Sequence, residues 1–147
     1  MVFRKLPAVF FLFILLTAFG SSAAPPGISS KLNRADHFTL YYFHRNFQSE
    51  PGKKLEKYTR DVLDKYFKRE TRQGDLTFEP VNTDSIGKRR FLEEFHLYPK
   101  TLVLMAFRNG KPLKWKNLDK IWRHLNKKDD FFNYLEKEIE NFITGNH

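Results

Sequence analysis

Between Gly52 and Arg69, the residues Leu55, Tyr58, Thr59, Val62, Leu63, Tyr66 and Phe67 recur at spacings of three and four, with charged residues between them. That period puts the apolar residues on one stripe and predicts an amphipathic helix over 52–69. Two segments of different character flank it. Phe38 to Phe43 is dense in aromatic and β-branched residues and reads as a buried strand. Leu76 to Val81, after a turn at Gln73-Gly74-Asp75, alternates apolar and polar residues and reads as a second. Strands joined through a helix pair naturally in parallel by a right-handed crossover. A chain holding this unit must build an α/β layer structure around it.

The second half supplies further elements. Asp84 or Ser85 is placed to cap a short helix carrying Phe91, Leu92 and Phe95 on one side, which must end before Pro99. Thr101 to Phe107 is the strongest strand pattern, Asn109-Gly110 is a hairpin signal, and Lys111 to Trp115 is the returning strand, so these two pair antiparallel. Asn117 is placed to cap a short helix through Trp122 and Leu125. Asp129 or Asp130 is placed to cap a last helix bearing Phe132, Leu135, Ile139, Phe142 and Ile143. The predicted order is β-α-β-α-β-β-α with an extra short helix before the last. It describes an α/β sandwich on a mixed four-stranded sheet, the thioredoxin-like core.

The ends are read separately. Arg4 and Lys5 precede an apolar run from Ala8 to Phe19, followed by Gly20, Ser21, Ser22 and Ala23. This is the pattern of a signal peptide over 1–23, cleaved after Ala23. An uncleaved anchor is the alternative reading. A Pro/Ser-containing linker over 24–36 and one domain over 37–144 complete the organisation, with no second stretch apolar enough to span a membrane. An exported protein, periplasmic or extracellular, is the expectation.

The chain has no cysteine. Disulfide exchange, cysteine–zinc sites and thiol nucleophiles are therefore chemically excluded, and stability must come from burial, to which 16 Phe residues contribute. The net charge is +9. Yet Lys53, Lys54, Lys57, Arg60, Lys65, Lys68 and Arg69 alternate with Glu56, Asp61, Asp64 and Glu70, the pattern of a solvated helix face. With no dense basic tract, nucleic-acid binding is not expected.

Three stretches carry a family resemblance: "YYFHRN" at 41–46, "EEFHLYPKTLVL" at 93–104 and "WKNLDKIW" at 115–122. They resemble the small exported thioredoxin-like family of nitrophenyl compound nitroreductase subunits of ArsF type, over about Phe38 to Phe142. The resemblance implies a Cys-x-x-Cys after the first strand, a position taken here by Ser49-Glu50-Pro51-Gly52. Both sulfur positions are gone, and Pro51 stands where the Cys-Gly-Pro-Cys version carries its proline. A thiol at a helix N-terminus ionises because the dipole and free N–H groups favour negative charge; a serine hydroxyl there stays protonated. Ser49 is expected to cap the helix, with Glu50 adding favourable charge and Pro51 tolerated in the first turn. The sharper alternative is an anion or a partner's carboxylate held at Ser49. The resemblance also implies a cis-proline before the third strand, where this chain has Thr101, with Pro99 two residues earlier.

Other candidates are sparse. His44 sits at the carboxyl end of the first strand, a common ligand position in α/β sheets, although a bond to local backbone also explains it. Trp115 at a strand end is a recognition candidate beside Asn117, and Trp122 reads as core. His96, His124, His37 and His147 lack a second ligand at metal spacing, so no metal and no cofactor are expected. Glu93 and Glu94 are adjacent on a helix and point apart.

The expectation is a noncatalytic binding or accessory subunit with a protein partner, and the resemblance implies a membrane-associated redox or nitroreductase-type system, with a membrane redox protein as that partner. An enzyme subunit using other groups, such as His44 with Ser49, or a bound cofactor is one alternative. It gains if those two side chains bond across an open pocket. A basic protein adsorbing to acidic surfaces is the other.

Overall fold

The computed structural model describes residues 35–145 apart from 86 and 88; the expected signal peptide and most of the expected linker lie outside them. Strand β1 (His37–His44) leads into helix α1 (Glu50–Tyr66), a short α2 (Lys68–Gln73) and β2 (Leu76–Asn82). Then come α3 (Arg89–Glu94), β3 (Thr101–Arg108), β4 (Lys111–Asn117), α4 (Ile121–His124) and α5 (Lys128–Thr144).

The four strands form one sheet in the order β2-β1-β3-β4. β1 runs parallel to β2, with Phe38 beside Leu76, and antiparallel to β3, with Phe43 beside Thr101. β3 and β4 are antiparallel around a turn in which Asn109 and Gly110 have φ of 50° and 71°. Two successive left-handed residues suit the twist of a tight hairpin, hence Asn-Gly. Pro80 is accommodated in β2 because that strand lies at the sheet edge. This strand order, with its parallel crossover and antiparallel hairpin, is that of the thioredoxin-like fold.

Alternation along the strands divides the core. Leu40, Tyr42, Leu102, Leu104 and Ala106 face α1 and α5, where they meet Leu55, Val62, Leu63, Phe131, Leu135 and Ile139. Phe43, Val103 and Met105 face the other way, onto Leu92 and Leu97. Each large apolar side chain so buried contributes about 1.5–3 kcal/mol before entropy is counted.

Several boundaries differ from expectation. The long helix breaks at Phe67 (φ −122°), whose ring turns into the core, and α2 buries nothing. Gly74 ends α2 in the left-handed conformation, with Asp75 N–H donating to Glu70 O at 2.9 Å. Asp84 and Ser85 do not cap α3, which begins at Arg89. Leu92 is buried and Phe95 partly so; the side chain of Phe91 is not among those described. Asn117 is the last residue of β4, and α4 starts from Lys120 without a side-chain cap. Asp129 and Asp130 lie inside the first turn of α5, whose N-cap is Lys127, and they favour its dipole rather than cap it. Phe131, outside the predicted stripe, is fully buried beside Phe132. Asp36 is no loose linker: its N–H donates to Phe107 O at 2.7 Å, and its carboxylate accepts from Asn109 N–H.

Candidate functional site

Residues 49–52 form the entry to α1, directly after the strand end at His44. Ser49 occupies the N-cap with extended backbone (φ −69°, ψ 161°), and its carbonyl accepts from Lys53 N–H at 3.0 Å. Its hydroxyl makes no capping bond, so the expected side-chain cap is not formed. Glu50 reaches Lys53 at 2.8 Å, an exposed pair of small energetic weight, and Pro51 sits in the first turn where the N–H groups lack helical partners anyway.

Gly52 is buried for a reason invisible in the local sequence. A Cβ built there would lie 2.7 Å from the Tyr42 hydroxyl. The space that a side chain at position 52 would need is thus filled from β1.

A polar group surrounds that hydroxyl. Burial, reinforced by the Glu56 carboxylate, pushes the Tyr42 phenol up to about 12. Burial also pushes the Glu56 carboxyl upward. Hydrogen bonds from Arg60 Nη2 at 2.9 Å and Gln48 Nε2 at 3.1 Å, with the charges of Arg60 and His44, outweigh it and hold the carboxyl below its usual range.

His44 bonds through Nδ1 to Arg45 O at 2.9 Å, the local backbone contact foreseen as the simpler explanation, and no hydrogen bond joins it to Ser49. Of the remaining basic residues of α1, Lys57 pairs with Asp61 at 2.8 Å and Arg60 with Glu56 at 2.9 Å, while Lys54 and Lys65 lie over the rings of Tyr58 and Tyr66. This is the solvated face the charge alternation predicted.

Two loops converge at this end of the sheet. The first, 45–49, is pinned by Asp84, whose carboxylate accepts from Asn46 N–H at 2.9 Å and Arg45 Nε at 3.4 Å; Asn82 Nδ2 donates to Asn46 Oδ1 at 2.7 Å. It presents Phe47, 95% exposed. The second, 95–100, is framed by His96 (φ 50°) and Lys100 (φ 69°), left-handed positions that only fixed surroundings maintain in residues other than glycine.

The fixing contacts of this second loop are specific. Leu97 N–H donates to Leu92 O, Lys100 N–H to Phe43 O at 2.7 Å, and Trp122 Nε1 to Lys100 O at 3.0 Å. Thr101, buried, donates its hydroxyl to Tyr98 O. Among the described residues no peptide bond is cis, so Pro99 is trans. The loop presents Tyr98, 78% exposed, beside an open cleft of about 470 Å³ lined by Leu92, Glu93, His96, Leu97 and Pro99.

The structure therefore brings Ser49, Gly52 and His44 to one end of the sheet, with Thr101 across from them on β3. Trp115 and Asn117 lie apart on the outer strand, Trp115 43% exposed and edge-on to Phe95 with ring centroids 6.3 Å apart. Phe47, Tyr98 and Tyr42 were not singled out from sequence, and Asp84 was read there only as a helix cap. Phe47 carried one usable signal, an aromatic inside a polar run and outside both the strand and the helix stripe.

No protein-family model matches the chain, and no curated protein matches it. Among solved structures it is similar to thioredoxin O2 from Arabidopsis thaliana in the oxidised state. The identity is 18% over 60% of this chain and 71% of that chain, with a TM-score of 0.37. The fold assignment rests on the strand order and connectivity described above.

Proposed function

We propose that this protein is an exported, noncatalytic binding or accessory subunit on a thioredoxin-like scaffold, engaging a protein partner in a membrane-associated redox system. The observation that carries the reading is the pair of exposed aromatic side chains, Phe47 and Tyr98, on two loops held by hydrogen bonds at one end of the sheet. Large aromatic rings presented rigidly lose little entropy on binding and are the usual energetic centres of protein interfaces. Thiol–disulfide chemistry through the chain's own side chains has no cysteine to use. The nitroreductase-type identity of the system is supported by the three sequence stretches alone, and export by the leader pattern at 1–23.

Photocrosslinking in cells tests it, with the reactive side chain at 47 or 98 and, as control, at the exposed Lys137 on α5. The expected outcome is one membrane redox protein captured from 47 and 98 and not from 137. Recovery of only abundant acidic proteins, equally from all three positions, would defeat the proposal.

A further inference from the structure

β4 is the outer strand of the sheet, with β3 as its one strand neighbour among the described residues. Outer strands expose a row of unpaired N–H and C=O groups, and proteins guard them with lysines, prolines or bulges. Here the guards leave the second half of the strand open. Pro112 and the register shift opposite Ala106/Phe107 lie near its start. Lys114 and Lys116 are tied back toward α5: Lys114 Nζ donates to Phe142 O at 2.8 Å and stands 4.4 Å from that ring's centroid, and Lys116 Nζ pairs with Glu138 at 2.7 Å. What remains at the edge is Leu113, Trp115 and Asn117, the first two 42% and 43% exposed.

The backbone of Trp115 and Asn117 is directed outward as well. Leu118 N–H donates to Leu102 O at 2.8 Å, and the register continues with Leu104 beside Lys116 and Ala106 beside Lys114. Bonded and non-bonded pairs alternate in an antiparallel ladder. The even-numbered residues therefore bond to β3, and Trp115 and Asn117 turn their N–H and C=O groups to the free side.

We infer that this edge binds a second copy of the chain, β4 against β4 antiparallel about a two-fold axis at Trp115, joining two four-stranded sheets into one. A two-fold interface is self-complementary. Trp115 meets its own counterpart as a hydrogen-bonded pair, Lys114 meets Lys116, and the added ladder ends where Asn117 lies opposite Leu113, the residue without a β3 partner at the register shift. The charge pattern admits this occupant and disfavours an acidic one. Glu138 already neutralises Lys116, so Lys114 faces an ion pair instead of a bare cation. An acidic extended peptide would need lysines free along the open half of the edge, and Lys114 and Lys116 are both taken, which leaves Lys111 at the strand's start.

Sedimentation equilibrium on the purified chain, combined with hydrogen exchange resolved to single amides, tests the inference without any partner. The expected result is a monomer–dimer equilibrium in which the Trp115 and Asn117 amides slow as concentration rises, while Lys114 and Lys116 stay protected throughout. Trp115→Lys restores a guard and should weaken the dimer by about tenfold or more. Asn117→Pro removes an outward donor without touching apolar surface and should weaken it too, which keeps the test sound if the first variant misfolds. A chain that stays monomeric at roughly millimolar concentration, or a dimer unchanged in both folded variants, overturns the proposal.

Discussion

The two faces of the sheet are finished to different degrees. On the side of α1 and α5, each 17 residues long, Leu40, Tyr42, Leu102, Leu104 and Ala106 are at most 1% exposed. On the other side α3, six residues long, helps seal Phe43, Val103 and Met105, and leaves Tyr41 and Phe107 half-buried and Leu113 and Trp115 exposed. Helix length decides how much of a sheet face can be covered. The covered face carries stability, while the half-covered face and the loops at the sheet's end keep apolar surface available for contacts.

The largest expected effect lies on the covered face. Leu104→Ala should cost about 2–5 kcal/mol in denaturant unfolding, and Phe107→Ala on the open face clearly less. Equal costs would break the contrast between the faces.

Gly52→Ala forces a Cβ against the Tyr42 hydroxyl and should cost about 1–3 kcal/mol, most of it recovered when Tyr42→Phe is added. By the same geometry, cysteines placed at 49 and 52 should close into a disulfide only in the Tyr42→Phe background. A thiol assay reads the difference, and closure with Tyr42 intact would show that the hydroxyl gives way.

A smaller effect should appear at alkaline pH. Burial first, and neighbouring carboxylates second, raise Tyr42 and Tyr134 to about 12 from a usual 10.0. The unfolded chain loses these protons first, so their contribution is complete below pH 10 and declines as the pH rises from 10 toward 12. Tyr42→Phe should flatten that decline in thermal melts against pH; an unchanged slope in Tyr42→Phe and Tyr134→Phe alike would remove burial of the phenols as its cause. The smallest expected change is Ser49→Ala, within about 0.5 kcal/mol, since the hydroxyl makes no capping bond. A loss near 1 kcal/mol would instead indicate a cap formed in solution.

How much was legible in advance follows from where information is local. The stripes of α1 and α5, the β3 run and the Asn109-Gly110 turn each write their conformation into neighbouring residues, and from them the element order and the parallel crossover could be read. The helix caps were misjudged at Ser49, Asp84, Asn117 and Asp129; at Asp84 the reason is that its carboxylate bonds to backbone that only the fold brings near. Asp84 serves Asn46, 38 positions away in the chain. That contact does not exist until β1 and β2 pair.

The sequence by itself determined the layer architecture and the absence of thiol chemistry, since periodicity and composition are properties of the chain before it folds. Tertiary structure alone decided that Tyr42 fills the room beside Gly52, that Phe47 and Tyr98 stand exposed at the same end, and that Lys114 and Lys116 turn away from the edge of β4. Each of these is set by distances between side chains far apart in the chain, and such distances exist only once the sheet has closed.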